Sequence, residues 1–139
     1  MKLAYLPSAG QVRLRLSSRG IAPEVARQEM EVLAGQLYTL IGTHIYGEGD
    51  ISLPEVIQQT MITKGMSLSL AESCTGGEIA HLLTSVPGSS AYFLGGLVAY
   101  SNALKTSVLG VSEKTLAEFG AVSHETALEM AIGAKQQFQ

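Results

Sequence analysis

The sequence predicts an α/β protein in which a small α+β module precedes a domain built on a mainly parallel sheet. Three observations predict it. Apolar and polar residues alternate through Gln11-Val12-Arg13-Leu14-Arg15-Leu16-Ser17, as in a half-buried strand. Apolar residues recur at helical spacing in several later segments. Finally, strand-like runs ending at Ala71 and Tyr100 each lead through a polar or glycine-rich turn into a new helical pattern. Strands alternating with helices join by right-handed crossovers and therefore pair in parallel.

Length and composition narrow the function classes. A chain of 139 residues holds one ordinary domain, or a small one with part of a second. Its 46% hydrophobic and 15% charged content suits a globular chain with a core. A net charge of -3 and a pI near 5.6 argue against a general nucleic-acid or anionic-membrane partner, which needs a basic field. The opening residues are too short an apolar run for a signal-peptide core, and no run approaches membrane-span length. With one cysteine there is no internal disulfide framework, so a reducing, cytoplasmic home is expected.

Taken in order, Leu3 to Leu6 and Val12 to Ser18 read as strands joined by the turn Pro7-Ser8-Ala9-Gly10. Arg13 and Arg15 share the wet face; an RNA contact there is the less ordinary reading beside two solvated arginines. Pro23 and Glu24 open a helix whose packing face is expected to hold Met30, Leu33, Leu37, Leu40 and Ile41, with Gly42 as its stop. His44 to Gly47 reads as a short strand, which closes a βαβ-like module over residues 1 to about 50. The Glu48-Gly49-Asp50 turn has two carboxylates but too few oxygens for calcium, so it reads as solvated. No GXXG loop lies between two helices, as a nucleic-acid-binding KH domain requires.

Ser52 with Glu55 forms a capping box, and the helix it starts ends at Lys64-Gly65. Met66 to Ala71 is the next strand. After Gly76-Gly77 comes a helix with Ile79, Leu82, Leu83 and Val86 on one face, closed by Pro87-Gly88. Phe93 to Tyr100 reads as a second buried strand, followed by a short helix from Ala103 to Leu109. A further short helix starts at Ser112-Glu113 and stops at Gly120. Ser123 caps the last one, with Ala127, Leu128, Ala131, Ala134 and Phe138 expected on its packed side. Only two clear strands serve residues 53 to 139, which leaves a doubly wound sheet poorly covered.

Ligands of open parallel sheets bind beyond the carboxyl ends of the strands. Two polar clusters fall there: Ser73-Cys74-Thr75-Gly76-Gly77, and Tyr100-Ser101-Asn102 with Lys105 one turn later. A serine becomes a nucleophile when a base takes its proton, and a buried lysine can serve. Ser73 and Lys105 would form such a pair, the Gly76 and Gly77 amides would face an oxyanion, and Tyr100 would relay a proton or stack on a flat substrate. The plainer alternative is a solvated Lys105 and a Tyr100 packed in the core. Cys74 competes as nucleophile but has no histidine close in sequence, and three scattered histidines give no zinc spacing. Neither a Walker loop nor a full GxGxxG is present, although a phosphate could rest on the turn's amides.

Three longer stretches carry a family resemblance. AESCTGG at Ala71 to Gly77, VPGSSAYFLGGLVAYSNALKTSVLGV at Val86 to Val111 and FGAVSHETALEMAIGA at Phe119 to Ala134 closely resemble the C-terminal, nicotinamide-nucleotide amidase domain of the CinA (competence-damage-inducible) family. KLAYLPSAGQVRLRL and IYGEGDISLPEVI resemble the KH-type linking module that precedes it. The fold implied is a KH-like α+β linking module over residues 1–50, then a truncated three-layer α/β/α domain over residues 51–139. The activity implied is hydrolysis of the carboxamide of nicotinamide mononucleotide, giving nicotinic acid mononucleotide and ammonia, with no metal or cofactor.

By motif matching, Ser73 is the implied nucleophile, Lys105 the base and Tyr100 an active-site partner. Thr75, Gly76, Gly77 and Asn102 would bind the amide oxygen or the substrate. The family pattern continues past the position of Gln139 into further strands, a TGIAGP-type loop and a later arginine, so the resemblance implies an incomplete pocket with weak or absent activity in this chain alone. The competing expectation is a non-catalytic assembly module that pairs through its sheet edges with another chain. Homo-oligomerisation is expected in either case.

Overall fold

A computed structural model describes all residues, Met1–Gln139, and divides them into two units, Met1–Glu48 and Gly49–Gln139. In the first unit β1 (Lys2–Ser8) and β2 (Gln11–Ser17) form an antiparallel hairpin in which Tyr5 faces Leu14 and Ser8 faces Gln11. Gly10, at φ 75°, makes its turn. Helix α1 (Pro23–Ile41) starts with proline in its first turn, as expected. Its half-buried stripe contains Met30, Leu33, Leu37 and Ile41, whereas Leu40 is 77% exposed and lies off that stripe.

The strand expected at His44 to Gly47 does not form. A 3₁₀ turn, Gly42–His44, continues the helix, and the Tyr46 hydroxyl reaches back to the Gln11 side chain. The sheet of this unit therefore keeps two strands, and the βαβ-like reading is corrected to a hairpin followed by a helix. No residue of Met1–Glu48 is fully buried, so the unit has no enclosed core of its own.

The second unit is mixed α/β with a small parallel sheet. Helix α2 (Leu53–Thr63) begins with the full capping box: Ser52 Oγ accepts the Glu55 amide and the Glu55 carboxylate accepts the Ser52 amide at 2.7 Å. Strand β3 (Leu68–Glu72) pairs in parallel with β4 (Phe93–Val98), and α3 (Glu78–Thr84) with a 3₁₀ turn at Ser89–Ala91 makes the crossover. The register runs Leu68 to Phe93, then Ser69 to Gly95 and on to Glu72 opposite Val98, so Leu94 is an extra, bulged residue. Burial alternates along β4, leaving Leu94 and Val98 exposed, so only one face of the strand expected to be buried is covered.

Helices α4 (Asn102–Leu109), α5 (Glu113–Phe119) and α6 (His124–Gln137) follow, each with a serine N-cap: Ser101, Ser112 and Ser123. The core is Ala99, Leu109, Val111, Met130 and Ala134, with Ala71, Leu97 and Leu116 packed against it. The buried face of α6 is Thr126, Met130, Gly133 and Ala134; of the expected residues Ala134 is buried and Phe138 half-buried, while Ala127, Leu128 and Ala131 are exposed, a partial correction. Gly133 explains the difference: its backbone lies against the Leu109 carbonyl so closely that a Cβ would overlap it. Close helix contact there selects a residue without a side chain at position 133, while Met130 fills the core beside it. In α3 only Leu83 is buried, and the expected partners Ile79 and Leu82 are exposed. No helix is long and apolar enough to cross a membrane.

Candidate functional site

The site is built where the two parallel strands end. Beyond the last paired residues the Ala99 amide donates to the Glu72 carbonyl at 2.9 Å, so Ser73, next after Glu72, is carried alongside Ala99 and Tyr100. Ser101 then caps α4, its Oγ accepting the Leu104 amide at 3.2 Å and its carbonyl accepting the Lys105 amide at 3.0 Å. Side chains on a helix lean toward its N-terminus, which aims Lys105 back at the strand ends.

Lys105 is only 2% exposed. Its Nζ donates to the Ala99 carbonyl at 2.8 Å and to the Tyr100 carbonyl at 3.4 Å, and stands 3.0 Å from Ser73 Oγ. No carboxylate is among its partners. With two N–H groups held by carbonyls, the remaining direction of the amine points at the Ser73 hydroxyl. In its neutral form the amine has a lone pair there, which can accept the serine proton.

The turn after Ser73 is closed by Gly76 N–H donating to the Ser73 carbonyl at 2.9 Å, with Gly76 and Gly77 at φ 63° and 98°. Only glycine adopts these angles without strain, so both are needed to reverse the chain within such a short span. Glu72, which the sequence patterns did not single out, ties this turn to the first residues of α3. It is 3% exposed, and its carboxylate accepts the amides of Gly77 and Ile79 at 3.1 Å each and of Ala80 at 2.8 Å. Burial pushes this carboxyl up, but the Ala80 amide, the Thr75 hydroxyl and the Ile79 and Gly77 amides outweigh it and hold the group below the ordinary 4.5.

These bonds revise two expected roles. The Gly76 amide is spent on the turn and the Gly77 amide on Glu72, so neither is free to face an oxyanion or substrate. The turn's hydrogen bond leaves the Cys74 and Thr75 amides unused. A phosphate on the first amides of α3 is excluded for the same reason, because a carboxylate already occupies them.

Tyr100 contributes its carbonyl to Lys105 while its side chain is 71% exposed, the reverse of a core-packed tyrosine and a solvated lysine. Asn102, exposed at the start of α4, lines an open groove of about 570 Å³ with Thr106, Ser107, Glu113 and Leu116, which includes neither Ser73 nor Lys105. Cys74 is exposed beside Ser73. No three His, Cys, Asp or Glu side chains converge to hold an ion. The signal for Glu72 was an acidic residue ending a strand just before a double glycine and a helix, since a buried carboxylate there has helix amides within reach.

Residues 50–139 match the family model of the CinA C-terminal domain. The chain is similar to a CinA-like protein of Chloroherpeton thalassium, 47% identical over 97% of this chain and 32% of that protein. A CinA-like protein of Flavobacterium psychrophilum is 44% identical over 100% of this chain and 34% of that protein. Among solved structures, a competence/damage inducible protein from Agrobacterium tumefaciens is 44% identical, with TM-score 0.56 over 66% of this chain and 58% of that one. A CinA superfamily protein from Escherichia coli is 30% identical, with TM-score 0.62 over 70% of this chain and 59% of that one. The chain thus spans about a third of the length of the curated relatives it matches.

Proposed function

The chain belongs to the CinA family, and from that premise we propose that it carries the Ser–Lys part of a nicotinamide-nucleotide amidase site. The observation that supports this reading is the Lys105 Nζ to Ser73 Oγ distance of 3.0 Å, with the other amine directions held by the Ala99 and Tyr100 carbonyls. Ser73 Oγ attacks the carboxamide carbon of nicotinamide mononucleotide as its proton passes to Lys105. The oxyanion lies against the Cys74 and Thr75 amides. Lys105 returns the proton to the leaving nitrogen, ammonia departs, and water then hydrolyses the acyl-serine to nicotinic acid mononucleotide. In this reading the exposed Tyr100 ring stacks on the flat pyridine, while Asn102, whose groove holds neither Ser73 nor Lys105, stays away from the reacting carbon.

Ammonia release from nicotinamide mononucleotide tests the reading. Release that Ser73→Ala and Lys105→Ala each abolish supports it; release untouched by both overturns it. A second reading is favoured by a different observation, the two outer sheet edges that β3 and β4 leave unpaired. There the chain acts as an assembly module that pairs with another copy. It requires oligomers in light scattering and no ammonia release.

A further inference from the structure

Glu72 closes a ring of contacts around the Ser–Lys pair. Its carbonyl accepts the Ala99 amide at 2.9 Å; the Ala99 carbonyl accepts Lys105 Nζ at 2.8 Å; Nζ stands 3.0 Å from Ser73 Oγ; and Ser73 is the next residue to Glu72. The backbone of Glu72 is thus tied to β4 while its side chain, 3% exposed, is tied to the start of α3 through Gly77, Ile79 and Ala80. Ser73 sits at the pivot between these two ties. Releasing the side chain frees the turn from Ser73 to Gly77 to rotate about a rung that remains in place, which moves the hydroxyl and leaves the amine where it is. The core residues Leu109, Val111 and Met130 are not among the carboxylate's partners.

We propose that Glu72 is the positioning residue of the pair: its carboxylate locks the turn to α3 and so fixes Ser73 Oγ on Lys105 Nζ. The proposal rests on the Ser–Lys reading of the site. It assigns a task to a buried charge that touches neither the substrate nor the amine. A glutamine at position 72 keeps the shape, but its amide nitrogen cannot accept from a backbone N–H. At least one of the paired donors is then lost, along with the charge that strengthens the rest.

The test uses the 139-residue chain and Glu72→Gln, each followed by two readouts. One is the through-space NMR contact between the Ser73 β-protons and the Lys105 ε-protons. The other is the rate at which phenylmethylsulfonyl fluoride esterifies Ser73 Oγ with loss of fluoride. Glu72→Gln is expected to keep the Leu109 and Met130 methyl signals, lose the Ser73–Lys105 contact and slow Ser73 labelling about a hundredfold, the usual scale for a misplaced reacting group. Retention of both the contact and the labelling rate overturns the proposal. Lys105→Met separates it from the underlying reading: labelling of Ser73 at an unchanged rate in that variant overturns the Ser–Lys pair, while the proton contact in Glu72→Gln still judges the positioning role. If Glu72→Gln does not fold, hydrogen exchange in the unchanged chain decides. Common protection of the Gly77, Ile79 and Ala80 amides supports the lock, and exchange at the rate of free amides overturns it.

Discussion

The Ala99 amide donates to the Glu72 carbonyl at 2.9 Å, one rung past the end of the parallel ladder. This bond brings two strand ends that are far apart in sequence into one plane. Ser73 and the Ala99 carbonyl then lie together, and a lysine from the following helix reaches both. The site is therefore a consequence of register before it is a consequence of side-chain packing.

Replacing Lys105 by methionine separates activity from stability. A buried amine without a carboxylate partner costs desolvation, and an apolar side chain of similar length removes that cost. Lys105→Met is expected to lose ammonia release and to gain about 1 kcal/mol in urea denaturation, a net value after loss of the hydrogen bond to Ala99.

Tyr92 is 1% exposed and its hydroxyl has no partner. Tyr92→Phe is expected to stabilise the chain by about 1 kcal/mol, because an unmet polar group is removed at constant shape. Burial raises the pKa of this phenol above 10.0. Its contribution is therefore complete below pH 10.0 and is lost as pH rises through the folded value. Denaturation midpoints measured on both sides of that pH should fall for the unchanged chain, and fall less for the variant.

On the acid side the sign is opposite. Glu129 is held below 4.5 first by the Thr115 hydroxyl and then by the Ser112 amide, and Glu72 is held low by its net hydrogen bonding. A depressed carboxyl stabilises above its unfolded value and loses that contribution as pH falls through its folded one. Circular dichroism between pH 5 and pH 2 should show unfolding in that window, about the span over which such carboxylates protonate. Glu129→Gln should make the loss shallower and loosen the start of α5.

Gly133→Ala tests the contact between α4 and α6. A Cβ at that position meets the Leu109 backbone, which cannot turn aside as a flexible side chain would. A loss of about 1–3 kcal/mol is expected on overpacking, read as a lowered denaturation midpoint. Since Lys105 lies on the same helix as Leu109, Ser73 labelling should slow as well.

Much of the fold and of the site was legible in the sequence because the signals are local. Capping serines, glycine stops and alternating strands report the conformation of their own neighbourhood, and the strand-end rule put Ser73 and Lys105 together. What escaped depended on partners. The amides of Gly76 and Gly77 looked free because sequence does not show that Glu72 and the Ser73 carbonyl occupy them. Hydrophobicity found only part of the packed face of α6, Ala134 and Phe138, and missed Gly133, since the Leu109 contact there requires the absence of a side chain. Leu40 and the residues after it failed similarly: apolar character alone could not tell a packed stripe from an exposed one, or a strand from a 3₁₀ turn.

The extra residue at Leu94 has a consequence for how the two ends of the small sheet behave. Where β4 enters, the Tyr92 carbonyl accepts the Leu68 amide at 2.8 Å; where it leaves, the Ala99 rung holds the pair. Between them the bulge interrupts the count, like a slip joint in a shaft. A substitution near the entrance, in the 3₁₀ turn Ser89–Ala91, is therefore expected to leave the 3.0 Å between Lys105 Nζ and Ser73 Oγ unchanged, whereas one in the first turn of α3, which Glu72 holds, is not.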